Sequence, residues 1–281
     1  MLFRSILTGI IYPISMGWQW VGGWLSVAGF SDFAGSTLVH AAGGAAALAG
    51  AIVLGARSGR FSSRGEAKPM APFAASSIPL ATLGVFILWL GWFGFNGASQ
   101  LALGSYADAN AVASIFANTT MAAAGGVIAP MVLSRIVEGK TNIGATLNGA
   151  IAGLVSITAE PLTPSIGQAI IIGGIGGILC MYGMKLLDKF KIDDVVGAIP
   201  AHLIAGIWGT LIVPFTNADT SYGTQIVGIL AFGIFTVVCS SIVWTILKVT
   251  VGIRASEEDE EYGLDLTETG TSGYPEYVSK K

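Results

Sequence analysis

Charge is what this sequence has least of. Asp, Glu, Lys and Arg together make up 11% of the 281 residues, while apolar residues make up 53%. Soluble domains carry about 25% charged residues. So little charge cannot cover the surface of a water-soluble globule, and the composition reads as an all-α polytopic membrane protein. Cysteine is nearly absent: Cys180 and Cys239 each sit in an apolar run. That argues against a disulfide framework, and neither shows the spacing of metal ligands, so no metal or other cofactor is called for. Nucleic-acid binding has no support. Arg4 precedes an apolar segment, but no small-residue cleavage site follows, so no secretory signal peptide is read there.

Glycine, by contrast, is abundant. The chain has 39, close to twice the usual frequency of about 7%. "GAIAG" (Gly149 to Gly153) and "GGIGG" (Gly173 to Gly177) place glycines four apart on one helix face. Small residues let membrane helices approach closely, so both strings read as packing stripes. The second has no preceding strand and is not a dinucleotide loop.

Apolar runs predict spans near 35–57, 76–101, 110–135, 142–159, 166–187, 195–215 and 223–252, preceded by a shortened one in "MLFRSILTGIIYPISMGWQW". Basic residues gather in alternate loops: Arg57, Arg60, Arg64 and Lys68; Arg135 and Lys140; Lys185, Lys189 and Lys191; Lys248 and Arg254. The intervening loops carry Asp108, Glu160 and Asp219 without Lys or Arg. The positive-inside rule puts the basic loops in the cytoplasm. Eight of the 17 acidic residues follow Arg254. The chain therefore divides into a membrane domain, 1–253, and an acidic cytoplasmic tail, 254–281.

The two histidines both fall inside predicted spans. His40 comes eight residues after Asp32, and His202 eight after Asp194; Gly44 and Gly206 follow each by four. The same spacing thus occurs twice, on spans of opposite direction, as in an inverted repeat around a midplane site. Eight helical residues measure about 12 Å. From opposite faces of a core about 30 Å thick, the two rings come within about 6 Å in height. An intramembrane ionisable group marks a pathway by default; the blander reading is a ring merely bonded to a carbonyl. Asp32 and Asp194 stand at opposite faces, where the ordinary role is helix N-capping.

These residues carry a family resemblance. "DFAGSTLVHAAGG", "GWFGFNGAS", "FANTT", "GAIAGLVSITA", "DDVVGAIPAHLIAGIWGTL" and "GLDLTETG" resemble, in order, the motifs of the ammonium transporter (Amt/MEP/Rh) family, over Tyr12 to Gly270. The resemblance implies an eleven-span inverted-repeat fold, here lacking counterparts of the first three spans and part of the fourth. It also implies a homotrimer with one pore per subunit in the cell membrane, and ammonium or ammonia as the species moved. By motif position, His40 and His202 resemble the paired pore histidines. Trp20 and Ser99 resemble the aromatic and hydroxyl of an outer recruitment site, Phe95 a pore-closing ring, Trp92 a pore-wall residue, and Asp32 a carboxylate supporting the outer site. Trp18 and Trp24 read instead as an interfacial belt. Phe93 reads as packing, as Phe95 would without the resemblance.

A cation–π contact is worth about 0.5–2 kcal/mol, enough to concentrate ammonium at a vestibule. Moving a bare charge through a dry pore costs tens of kcal/mol. The expected route is therefore recruitment of the ion, loss of its proton, and passage of ammonia beside two imidazoles that can relay a proton. The resemblance further implies a tail that contacts neighbouring subunits and a PII-type signalling protein. Thr269 stands where a histidine is common and Thr271 where an acid is common, so that expectation is weaker than the pore. Two other readings are an ammonium sensor and a non-transporting fragment, the latter through a misplaced start, an incomplete gene or a real deletion.

Overall fold

A computed structural model describes residues 1–61 and 75–275; Arg64 and Lys68 of the first basic loop lie outside the described residues. The described chain is helical: α1 (Leu2–Met16), α2 (Trp24–Val27), α3 (Ser36–Leu54), α4 (Ile78–Ala98), α5 (Tyr106–Glu138), α6 (Ile143–Ile157), α7 (Ile166–Lys189), α8 (200–211), α9 (Val213–Thr216), α10 (Tyr222–Thr250), α11 (Glu257–Tyr262) and α12 (Leu264–Thr269). Short polar side chains set the starts. Ser105 with Asp108, and Ser165 with Gln168, form reciprocal capping boxes at α5 and α7. Ser77, Asn142 and Ser221 cap α4, α6 and α10 by accepting a backbone N–H.

Among the described residues five helices, α3, α4, α5, α7 and α10, are long and apolar enough to cross a membrane. This is a multi-pass membrane architecture. Two of the seven predicted spans, 142–159 and 195–215, give helices under 18 residues. Helix α6 has 15 residues, about 22 Å at 1.5 Å per residue. It does not need the bilayer's full thickness, because every residue from Gly149 to Ile157 is buried within protein. The helix of the 195–215 span starts late: residues 195–197 form a bend with Gly197 at φ 77°, and helix begins only beyond it.

Glycines decide how closely α5, α6 and α7 pack. A Cβ on Gly126 would strike the Gly149 carbonyl, one on Gly153 the Ala122 carbonyl, and one on Gly173 the Ala122 backbone. The two glycine strings are thus helix–helix contact stripes. Helix α3 packs against α10, where Leu25, Phe30, Leu38 and Phe232 form a separate core. Trp18, expected at an interfacial belt, is partly buried and packs on Phe232 and Phe235. Trp24 is half exposed.

The basic loops meet at one end. Arg57 donates to Asp193 from Nε (2.7 Å) and Nη2 (2.8 Å), and Arg60 pairs with Asp188 and Asp193. Lys248 and Arg254 donate to the last carbonyls of α3, those of Val53 and Leu54. Glu260 of α11 accepts from Arg254 and from the Ser58 amide, which lays the acidic tail beside the first basic loop.

Candidate functional site

Asp32 and Asp194 begin the two arms of the site. The Asp32 carboxylate accepts four backbone N–H groups, from Gly35, Ser36, Thr37 and Leu38, at 2.7–3.0 Å. Asp194 accepts four, from Val196, Gly197, Ala198 and Ile199, at 2.7–3.3 Å. Three residues after each carboxylate stands a glycine at positive φ, Gly35 at 112° and Gly197 at 77°. That conformation turns successive amides onto one anion and is cheap only for glycine. The repeat is therefore longer than the Asp–His–Gly spacing alone: Asp32, Gly35, His40, Gly44 match Asp194, Gly197, His202, Gly206.

Both histidines lie in short π-helical stretches, Ser36–Ala41 and Pro200–Ile204. Such turns are rare and concentrate at functional sites. The two helices cross in opposite senses. A Cβ on Gly44 would meet the Leu203 backbone, and one on Gly206 the Ser36 carbonyl and Ala41. Each glycine thus admits the segment around the other arm's histidine. The result is an Nδ1–Nδ1 contact of 3.1 Å between His40 and His202, with ring centroids 5.2 Å apart. Whichever ring donates, the other must offer its lone pair. Two neutral rings so joined present one acceptor Nε2 and one donor Nε2. His40 Nε2 is buried without a partner among the described residues.

Trp92 stacks on His40 at 4.8 Å and 19°, and its Nε1 donates to Thr158 Oγ1 at 2.9 Å, which fixes the plane of the indole. Phe95 sits 5.3 Å from His40 and 5.7 Å from Trp92. Phe93, on the other side of α4, packs on Phe116. Beyond Phe95 opens a cleft of about 610 Å³ whose lining includes Trp20, Phe95, Ser99, Tyr12, Ser15 and Thr236. Trp20 Nε1 donates to the Asp32 carbonyl at 2.9 Å. Asp32 thus reaches this cleft through its main chain, while its carboxylate serves the helix start. Ser99 Oγ donates to the Phe95 carbonyl at 2.8 Å, leaving its lone pairs to accept from a ligand.

The structure brings His40, His202, Trp92 and Phe95 into one cluster, and Trp20 and Ser99 into the adjoining cleft; Asp194 stays at the far end of α8. Sequence reasoning missed Tyr12, Ser15 and Thr236 in the cleft wall, which carry no spacing signal. It also missed Gly35 and Gly197, whose shared offset was there to be read.

The Ammonium Transporter Family model matches residues 1–274. The chain belongs to the ammonium transporter family. It is 39% identical over 309 residues to the ammonium transporter Amt2 of Archaeoglobus fulgidus, covering 99% of this chain and 64% of that protein. Among solved structures, a Sensor Amt Protein superposes with a TM-score of 0.87 at 33% identity, covering 93% of this chain and 67% of the other. Candida albicans Mep2 gives 0.81 at 28% identity, covering 99% and 65%. The chain spans 58–64% of the length of three curated family relatives. The fold of the described residues is that of the ammonium transporters.

Proposed function

We propose that this chain forms the histidine-lined part of an ammonium transport pore. The observation that carries the reading is the 3.1 Å contact between two imidazoles brought from opposite directions beneath aromatic cover. Ammonium gathers in the outer cleft, its charge against the Trp20 face and its N–H toward Ser99 Oγ. Phe95 and Trp92 keep water from the section below. There an ion faces a desolvation cost that cation–π attraction cannot offset, so its proton passes to the lone-pair Nε2 of the His40–His202 pair, and neutral ammonia passes along the rings. One Nε2 accepts a bond from ammonia and the other donates to it, which lets the rings guide a neutral molecule and pass a proton. Assembly as a homotrimer, a cytoplasmic tail and docking of a PII-type protein at the basic face belong to the same reading.

The test is ammonium uptake into vesicles bearing the chain. His40→Ala and His202→Ala should each lower flux by about tenfold or more, or erode discrimination against potassium. Normal flux and unchanged discrimination in both variants would defeat the assignment. A sensing role is the second reading, favoured by the likeness to a Sensor Amt Protein. Pull-down of a PII-type protein that depends on ammonium, in a chain that moves none, would favour it.

A further inference from the structure

Gln225 lies in the first turn of α10, is fully buried, and stands in a helix that is otherwise strongly apolar. Both donors and the carbonyl oxygen of its amide are engaged. Oε1 accepts from the Ser31 amide at 2.9 Å, and Nε2 donates to the Ser31 carbonyl at 2.7 Å and to the Thr210 carbonyl at 3.0 Å. Reversing the amide would set donor against donor, so the orientation is fixed by its partners. A polar group buried this deeply is costly unless it is hydrogen-bonded, and here all three bonds go to the two arms of the repeat.

What Gln225 joins is specific. Ser31 immediately precedes Asp32, whose carbonyl holds the Trp20 indole and whose carboxylate starts the His40 helix. Thr210 follows His202 by two turns of α8, and its Oγ1 lies 2.7 Å from Thr37 Oγ1, from which it accepts. One side chain from a third helix therefore fixes the start of the His40 arm against the end of the His202 arm, at the level where Trp20 is held.

We propose that Gln225 is a positioning residue that registers the outer recruitment segment against the His202 helix, a role that rests on the transport reading above. It touches no substrate and acts through Ser31 and Thr210. The expected signature is weaker recruitment with little change in the maximal rate, because Trp20 moves while the histidine pair keeps its own glycine crossing.

The experiment compares the full chain with Gln225→Met, which matches its length and removes every bond. Two readouts are used: ammonium uptake into vesicles, and hydrogen exchange of the amides at Gly35 to Leu38. The Met variant should raise the half-saturating ammonium concentration by about tenfold while the maximal rate per folded chain stays within about twofold. Those four amides should exchange faster. If the Met variant does not accumulate, Gln225→Asn keeps the amide but is too short to reach both Ser31 and Thr210, and should shift half-saturation by about threefold. Wild-type half-saturation with wild-type exchange would overturn the proposal, as would a loss explained wholly by less folded protein. If the unaltered chain takes up no ammonium, the transport reading fails instead. Hydrogen exchange then decides the positioning role by itself: faster exchange supports it and unchanged exchange overturns it.

Discussion

At the scale of single residues, the site divides charge from chemistry. The two carboxylates that start the histidine arms are consumed by backbone amides, so neither Asp32 nor Asp194 is free to act as a counter-ion to a bound cation. Under the proposed transport reading, attraction falls to Trp20 and Ser99. Trp20→Ala should raise the half-saturating ammonium concentration about 2- to 30-fold, the span of a cation–π contact from exposed to dry. Concentration dependence of uptake measures it, and an unchanged curve would move recruitment elsewhere in the cleft. Trp20 and Ser99 were legible only through the resemblance, since a lone tryptophan near an interface reads as an anchor. Gln225 had a signal of its own. An amide near the start of one of the most apolar stretches of the chain demands buried partners, although nothing in the sequence says which.

At the scale of elements, the two arms owe their meeting to glycine and to helix irregularity. Replacing Gly44 or Gly206 by Val would push the crossing helices apart at Leu203 or at Ser36 and Ala41. Overpacking of this kind costs about 1–3 kcal/mol. The expected outcome is a lower thermal midpoint in detergent together with loss of uptake, whereas Gly43→Ala, which meets nothing within 4 Å, should be near neutral. Equal effects of the three substitutions would sink the crossing argument. The apolar runs were visible, and α6 falls within two residues of its expected ends. The start of the 195–215 run was not visible: helix begins only after Gly197 turns the chain onto Asp194. Hydropathy reports apolarity and is blind to that cause.

At the scale of the molecule, the basic end is held by ion pairs that bridge distant loops. Asp193 is pushed up by burial, but hydrogen bonds from Arg57 and the charges of Arg57 and Arg60 outweigh this and hold its carboxyl below the usual range. A lowered carboxylate contributes stability that is complete above its unfolded value of about 4 and is lost as pH falls through the lower folded value. Asp193→Asn should cost about 1–2 kcal/mol near neutral pH, less than for a fully buried pair, because the Arg57 side chain is a third exposed and Arg60 keeps Asp188. The difference in thermal midpoint between the two proteins should shrink as the pH drops below about 4, where the native residue is itself protonated. A difference independent of pH would show that charge is not its source. The same end carries the link from the tail through Glu260 to the Ser58 amide.

Composition by itself determined that the chain lives in a membrane, because 11% charged residues cannot cover a soluble surface. The loop charges carry an expectation of its direction, and the doubled spacing marked two histidines for one another. Which atoms meet was left to the tertiary structure. Sequence spacing fixes height along a helix, but rotation about its axis and the distance to a neighbour depend on packing. Those were decided by the glycine crossings, the π turns and the amide bridge from α10, whose partners lie up to 194 residues away.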